Sequence, residues 1–316
     1  MKVVEHLAKA TKPLISYEII PPLRGGNVQD LMALIDDLVR YDPPYIDTTS
    51  HGSEVSYEET AQGIQRKVKR KRPGTLGICA LIQNKYNIDA VPHILCLGFN
   101  REETEDFLIE LKYLGIDNVL AIRGDENGFK KPLQYGRTAN EYGLDLVRQI
   151  AGMNQGSYLE RELLDAEPSS FCIGIAGYPE KHFEAPNRAT DIRHTKAKVD
   201  AGGEYIVTQM FFDNRPYFDY LEACREAGIE VPIIPGLKII TTKKQLNSLP
   251  RKFHCDIPSE LADEISAAKP GHVTEIGVEW ATKQAEELLN RGVPSLHFYL
   301  MQSSKAINML MGKLRP

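Results

Sequence analysis

Short apolar runs rich in branched residues alternate with longer amphipathic stretches along nearly the whole chain. The runs are LISYEII (14–20), YIDTTS (45–50), VPHILCL (91–97), NVLAIRG (118–124), FCIGIAGY (171–178), YIVTQMFF (205–212), VPIIPGLKI (231–239) and SLHFYL (295–300). Between them lie NVQDLMALIDDLVRY, REETEDFLIELKYLG, NRATDIRHTKAKVDAG and RPYFDYLEACREAG, whose apolar positions recur at three- and four-residue spacing and which glycine often closes. Strands that alternate with helices predict parallel β-α units. Eight such strands without a linker-like break predict an α/β fold of one domain over residues 1–316, a closed (β/α)8 or TIM barrel.

Two stretches fit that count poorly. TLGICALIQNKY (75–86) reads as a ninth strand or, preferably, as an inserted helix. Residues 151–170, AGMNQGSYLERELLDAEPSS, read as an extension of the fourth helix or as a loop insertion.

In a barrel of this kind chemistry gathers at the C-terminal ends of the strands. Strand one carries Glu18 amid apolar neighbours, and strand two ends in Thr48, Thr49, Ser50 and His51. Strand three holds His93, strand four ends Arg123-Gly124-Asp125, strand five ends Tyr178-Pro179-Glu180, and strand six carries Gln209 and ends in Asp213. Each has a bland alternative: a paired core glutamate, a satisfied core histidine, an Arg123–Asp125 ion pair, an ordinary turn. Six polar strand ends together predict a concave, partly basic site.

Composition narrows the classes. The 316 residues are 42% hydrophobic and 26% charged, with a formal net charge of −5, so no nucleic-acid partner is expected. No apolar run approaches the ~20 residues of a membrane helix, and the polar N-terminus does not resemble a signal peptide, so a cytoplasmic protein is expected. Cys79, Cys96, Cys172, Cys224 and Cys255 are scattered, which disfavours a disulfide framework or a cysteine-rich metal site. Arg66, Lys67, Lys69, Arg70, Lys71 and Arg72 crowd ahead of Pro73; they read as an anion patch or, preferably, as a solvated helix end. Without GxSxG, HExxH, GxGxxG or a Walker sequence, hydrolase and metalloprotease readings lack support and a cofactor must be held without a Rossmann unit. Arg123 and Lys198 are candidate contacts for a pyrophosphate, and Asp191 for a ribose.

The ordered motifs resemble those of the methylenetetrahydrofolate reductases. SYEIIPP (16–22), VPHILC (91–96), AIRGD (121–125), AGYPEKHFEA (176–185) and KVDAGGEYIVTQMFFD (198–213) follow the family's segments, and PGLKII, HFYLM and the terminal LRP extend the likeness over essentially the whole chain. The resemblance implies a barrel that binds FAD, takes hydride from NADH or NADPH, and reduces 5,10-methylenetetrahydrofolate to 5-methyltetrahydrofolate in one-carbon metabolism. By position it implies Glu18 as general acid, and burial in an apolar strand suggests a raised pKa for it. Asp125 is implied beside flavin and pterin, and Gln209 on the pterin edge. Thr49, His93, Arg123, Gly124, Asp125, Tyr142, Ala176, Tyr178, His182, Asp191 and Lys198 are implied around FAD, with Tyr135 competing for the place of Tyr142. No metal is implied, and a homo-oligomer is.

The sequence departs from the family pattern in places. Ile19-Ile20 replaces an aromatic pair, Thr49-Ser50-His51 replaces threonine-tyrosine-glycine, and Lys243 stands where an aromatic is common, so nicotinamide or folate stacking is in question. The chain ends soon after strand eight, which predicts no regulatory extension and no inhibition by S-adenosylmethionine through one. The residues leave open a second reading, a barrel flavoprotein subunit that takes electrons from a protein partner.

Overall fold

The computed structural model describes residues 1–124, 131–160, 162–163, 165–300 and 302–314. Helix α1 (Val3–Lys9) comes first, then β1 (Leu14–Ile19), α2 (Val28–Val39) and β2 (Tyr45–Thr48). A hairpin of β3 (Glu54–Thr60) and β4 (Gly63–Lys69) leads to α3 (Leu76–Tyr86), β5 (Asp89–Leu95), α4 (Arg101–Tyr113) and β6 (Asn118–Ile122). There follow α5 (Gly143–Met153), β7 (Cys172–Gly177), α6 (Arg188–Asp200), β8 (Tyr205–Thr208) and α7 (Asn214–Glu226). The last part holds β9 (Ile233–Ile234), β10 (Gly236–Leu237), α8 (Gln245–Phe253), α9 (Ser259–Ala267), α10 (Val273–Asn290), β11 (Ser295–Tyr299) and α11 (Lys305–Leu314).

The strands other than the hairpin lie parallel in the order β10-β11-β1-β2-β5-β6-β7-β8-β9. Nine labels describe eight barrel positions, because Pro235 splits the seventh strand into β9, paired with β8, and β10, paired with β11. Proline has no N–H for a ladder bond. Its carbonyl instead accepts from the His297 N–H at 3.0 Å, and the next N–H, of Gly236, donates to Thr208 Oγ1 at 2.9 Å. The barrel closes through this crossing.

Alternation along each strand divides the buried side chains into two sets. Tyr17, Ile19, Ile46, Ile94, Val119, Ile173 and Ile206 pack outward against apolar faces of the helices in one large cluster. Tyr45, Val91, Leu120, Cys172, Tyr205, Val207 and Ile234 form a smaller cluster with Val3 of α1. Helix α1 closes the N-terminal end of the barrel: Val3 N–H donates to Asn118 Oδ1 at 2.8 Å, and the chain's amino terminus meets Asp89 Oδ1 at 2.7 Å. Gly174 is required inside, since a Cβ there would lie 2.4 Å from the Tyr205 ring. A third cluster, with Met210, Phe212, Ile240, Leu249 and Leu261, lies among α8, α9 and α10.

The βα turns supply helix caps. Asn27, Asn100, Asn187 and Asp213 each accept from a first-turn N–H, and Asn100 with Glu103 makes a capping box. Asp213, a strand-end polar residue in the sequence, is thus the N-cap of α7 and an ion pair with Arg215 at 2.5 Å.

Two expectations change. The basic run lies on β4 and the segment after it, and not on a helix end. It is balanced by acids one strand away: Lys67 and Lys69 both reach Glu58 at 2.6 Å, and Lys71 reaches Glu54 at 2.5 Å. The sequence hid this because cross-strand partners nine and eleven residues off have no helical spacing. Residues 75–86 do form a helix, but after Met153 the described part of 151–170 is irregular, held by Asn154 Oδ1 to Phe171 N–H at 2.8 Å. Among the described residues no helix is long and apolar enough to cross a membrane.

Candidate active site

The pairing of β1 with both β2 and β11 decides what stands beside Glu18. Glu18 is in register with Asp47 on one side and Tyr299 on the other, while Ser16 is in register with His297. His93 of β5 reaches the same place from one strand further. Its Nε2 lies 3.4 Å from Glu18 Oε2 and 3.7 Å from Asp47 Oδ2, and His297 Nε2 lies 4.0 Å from Glu18 Oε2. Ser16 Oγ fixes the other face of His297 through Nδ1 at 2.9 Å. Lys238, just past β10, donates to the Tyr299 carbonyl at 2.7 Å, and the Tyr299 hydroxyl donates to the Thr208 carbonyl at 2.5 Å.

These charges set one another. Burial drives the Glu18 carboxyl up, but the nearby His297, His93 and Lys238 outweigh it and hold the group below the ordinary glutamate range. The raised value expected from the apolar strand is therefore corrected: the neighbours along the chain are apolar, but those across the barrel are two histidines and a lysine. Burial pushes His93 down, yet Asp47 and Glu18 carry it above the usual histidine value. Burial brings Lys238 down to about 8, with Glu18 offsetting part of the effect.

A second group lies on β6, β7 and α6. Arg123 stands over the Tyr142 ring at 5.6 Å and donates to Glu184 Oε2 at 2.5 Å. Tyr142, at the N-cap of α5, is exposed at the site, whereas Tyr135 is fully exposed. The Tyr178 and His182 rings meet edge-on at 4.5 Å, and the His182 N–H donates to Asp191 Oδ2 at 3.0 Å. Burial holds His182 below its usual value. Lys198 donates to the Ala176 carbonyl at 2.8 Å, and burial pulls its ammonium down to about 8. Gly124 has φ +90°, a conformation that favours glycine, and a Cβ there would meet Leu95 at 3.4 Å.

Beside His93 a cleft is lined by Ser50, Arg70, Thr75, His93, Leu95 and Phe99. Thr49, next to Ser50 in the chain, is buried with its N–H on the Ile19 carbonyl at 3.0 Å. Gln209 lines a smaller hollow with Tyr178, Glu180, Met210 and His254. Burial raises Glu180 there to about 7, although its Oε2 accepts from the Asp256 N–H at 2.9 Å. Lys243 lies outside both groups, donating to the Ser266 carbonyl at 2.7 Å. Asp125 lies outside the described residues.

The sequence reading missed Asp47, Lys238, His297 and Tyr299. A signal was present: Asp47 precedes Thr49 by two, and His297 precedes Tyr299 by two, which places each pair on one face of its strand.

The site is thus a buried cluster of two carboxylates, two imidazoles and an amine beside a cleft, and comparison with known proteins decides the family. The family model for methylenetetrahydrofolate reductase matches residues 2–315. The chain belongs to the methylenetetrahydrofolate reductase family. It is 30% identical over 308 residues to methylenetetrahydrofolate reductase 1 of Schizosaccharomyces pombe, covering 96% of this chain and 46% of that one. It is 30% identical to the NADH enzyme of Arabidopsis thaliana, covering 98% of this chain and 50% of the relative. The chain thus spans about half the length of these eukaryotic relatives. Against the 5,10-methylenetetrahydrofolate reductase of Salmonella typhimurium identity is 27%, covering 92% of this chain and 87% of the bacterial one. Among solved structures, a Clostridium thermocellum protein described as binding two copies of 5-methyl-5,6,7,8-tetrahydrofolic acid superposes with a TM-score of 0.60 at 12% identity, covering 98% of this chain and 96% of that one. That likeness shows the barrel fold.

Proposed function

We propose that this methylenetetrahydrofolate reductase family member catalyses the reduction of 5,10-methylenetetrahydrofolate to 5-methyltetrahydrofolate with NADH or NADPH and FAD. The observation that carries the reading is Glu18 at the C-terminal end of β1, 3.4 Å from His93 and open enough to reach a ligand, with 12% of its side chain exposed. Relatives whose names specify NADH and NADPH support a nicotinamide donor without choosing between the two.

The residues present fit FAD. Arg123 offers a guanidinium suited to phosphate, Tyr142 and Tyr178 offer rings and hydroxyls, and Gly124 leaves the backbone after β6 unobstructed by a Cβ. Arg123, Gly124, Tyr142, Ala176, Tyr178, His182, Asp191 and Lys198 hold the cofactor in this reading, with Thr49 and His93 on the opposite wall and Asp125 assigned by family position alone. When bound, FAD supplies the two-electron carrier between nicotinamide and folate. Asp191 acts through His182, fixing its backbone, and Lys198 acts through Ala176.

Glu18 donates the proton that opens the imidazolidine ring of the folate, leaving an iminium to accept hydride. Because His297, His93 and Lys238 together keep Glu18 ionised at rest, its proton arrives through the adjacent His297 imidazole. The acid is then strong at the moment of transfer, with His93 and His297 stabilising the carboxylate that results. Gln209, whose Oε1 accepts from the Met210 N–H at 2.9 Å, keeps its amide N–H2 for the pterin edge. The test is product analysis: purified protein with FAD, methylenetetrahydrofolate and either nicotinamide should form 5-methyltetrahydrofolate. Absence of product with NADH, NADPH and a chemical reductant of flavin would remove the proposal.

A further inference from the structure

Asp47 is the least explained charge in the barrel. It is completely buried, and neither carboxylate oxygen has a hydrogen-bond partner among the described residues. A carboxylate in that condition is strongly destabilising unless a cation compensates it. The nearest candidate is His93 Nε2 at 3.7 Å, and this is the same nitrogen that lies 3.4 Å from Glu18. One N–H cannot serve two carboxylates with good geometry at once.

We propose that Asp47 is a positioning residue that shares the His93 Nε2–H with Glu18 as an alternative acceptor. When Glu18 carries a proton, the His93 N–H turns to Asp47; when Glu18 has given that proton to substrate, the N–H returns to the new Glu18 carboxylate. His93 keeps its Nε2 proton throughout, and the two carboxylates exchange roles. Asp47 thereby lets Glu18 become neutral without leaving an imidazolium uncompensated in the barrel. It touches neither substrate nor cofactor. His297, Lys238 and Tyr299 face Glu18 from β11 and the end of β10, while Tyr45, Tyr205 and Cys79 complete the titratable surroundings of Asp47. Burial raises Tyr45, Tyr205, Tyr299 and Cys79 and so keeps them neutral beside the two carboxylates.

The functional part rests on the reductase reading, and the structural part does not. Histidine-selective 15N NMR of the intact protein without ligands tests the latter, with the His93 signal assigned by its loss in His93→Gln. A protonated Nε2 that persists from pH 6 to pH 8 is expected. A bare Nε2, with the proton on Nδ1, would overturn the proposal whatever the protein catalyses. The second arm follows reoxidation of pre-reduced enzyme by methylenetetrahydrofolate against pH in Asp47→Asn. Removing an anion weakens proton binding by both neighbours, so the alkaline limb should move down by about one pH unit, a tenfold rate loss above the limb. A uniform loss at every pH, with the limb unmoved, would mean a merely structural aspartate.

Discussion

Replacing Lys238 by methionine should make the protein more stable and less active. The lysine is 7% exposed and its ammonium is depressed from 10.5 to about 8. That depression corresponds to about 3 kcal/mol of destabilisation when the group is charged at neutral pH, already net of its attraction to Glu18. Methionine fills most of the same volume without charge, but it leaves the Tyr299 carbonyl without the Lys238 N–H, a loss of about 1–2 kcal/mol. The net gain at pH 7 is therefore about 1–2 kcal/mol. Its pH dependence has a definite sign. Between about 8 and 10.5 the unfolded parent binds more protons at this position than the folded parent, so the parent regains stability as pH rises through that window. The advantage of Lys238→Met should be full below pH 8, vanish at about pH 9.5 and reverse by about pH 10.5, where only the lost hydrogen bond remains. Urea unfolding of parent and variant in parallel at pH 7, 9 and 10.5 measures the difference directly. A variant less stable than the parent at pH 7, or a difference that does not shrink with pH, would refute the reasoning. The same variant should raise the Glu18 pKa, since one of the cations that lower it is gone.

Three further outcomes are expected. Glu18→Gln should keep bound flavin and its reduction by nicotinamide while slowing the folate half-reaction by about 10²–10⁴; stopped-flow measurement of each half-reaction checks this, and equal loss of both would count against the acid role. Arg123→Ala should weaken FAD retention by about tenfold or more, read as flavin content after gel filtration, and unchanged content would remove Arg123 from the cofactor wall. Gly277→Ala places a Cβ 1.9 Å from the Ile240 carbonyl oxygen, where α10 presses on backbone; it should cost about 3 kcal/mol in chemical denaturation, and a neutral effect would show that this packing can yield.

The barrel was legible because a strand buried on both faces writes a continuous apolar run, and each of the eight runs became a barrel position. The hairpin was not, because β3 and β4 carry charges on one face and Tyr57, Ile64 and Val68 exposed on the other, which leaves no apolar run. Much of the candidate site was readable at strand ends: Glu18, Thr49, His93, Arg123, Tyr178 and Gln209 lie where expected. What failed was the charge state of Glu18. Its sequence neighbours Tyr17 and Ile19 face the helices, while its real neighbours, Asp47, His93, Lys238 and His297, come from four other strands or their ends. Strand alternation shows which way a side chain points, but only the closed register shows what it meets.

The measurement that bears most directly on the central claim is an anaerobic absorbance titration of the purified protein, first with NADH or NADPH and then with methylenetetrahydrofolate. A flavin spectrum that bleaches with the nicotinamide and returns with the folate is the predicted result. A protein that neither carries nor takes up FAD, or a reduced flavin that methylenetetrahydrofolate leaves reduced, would contradict it.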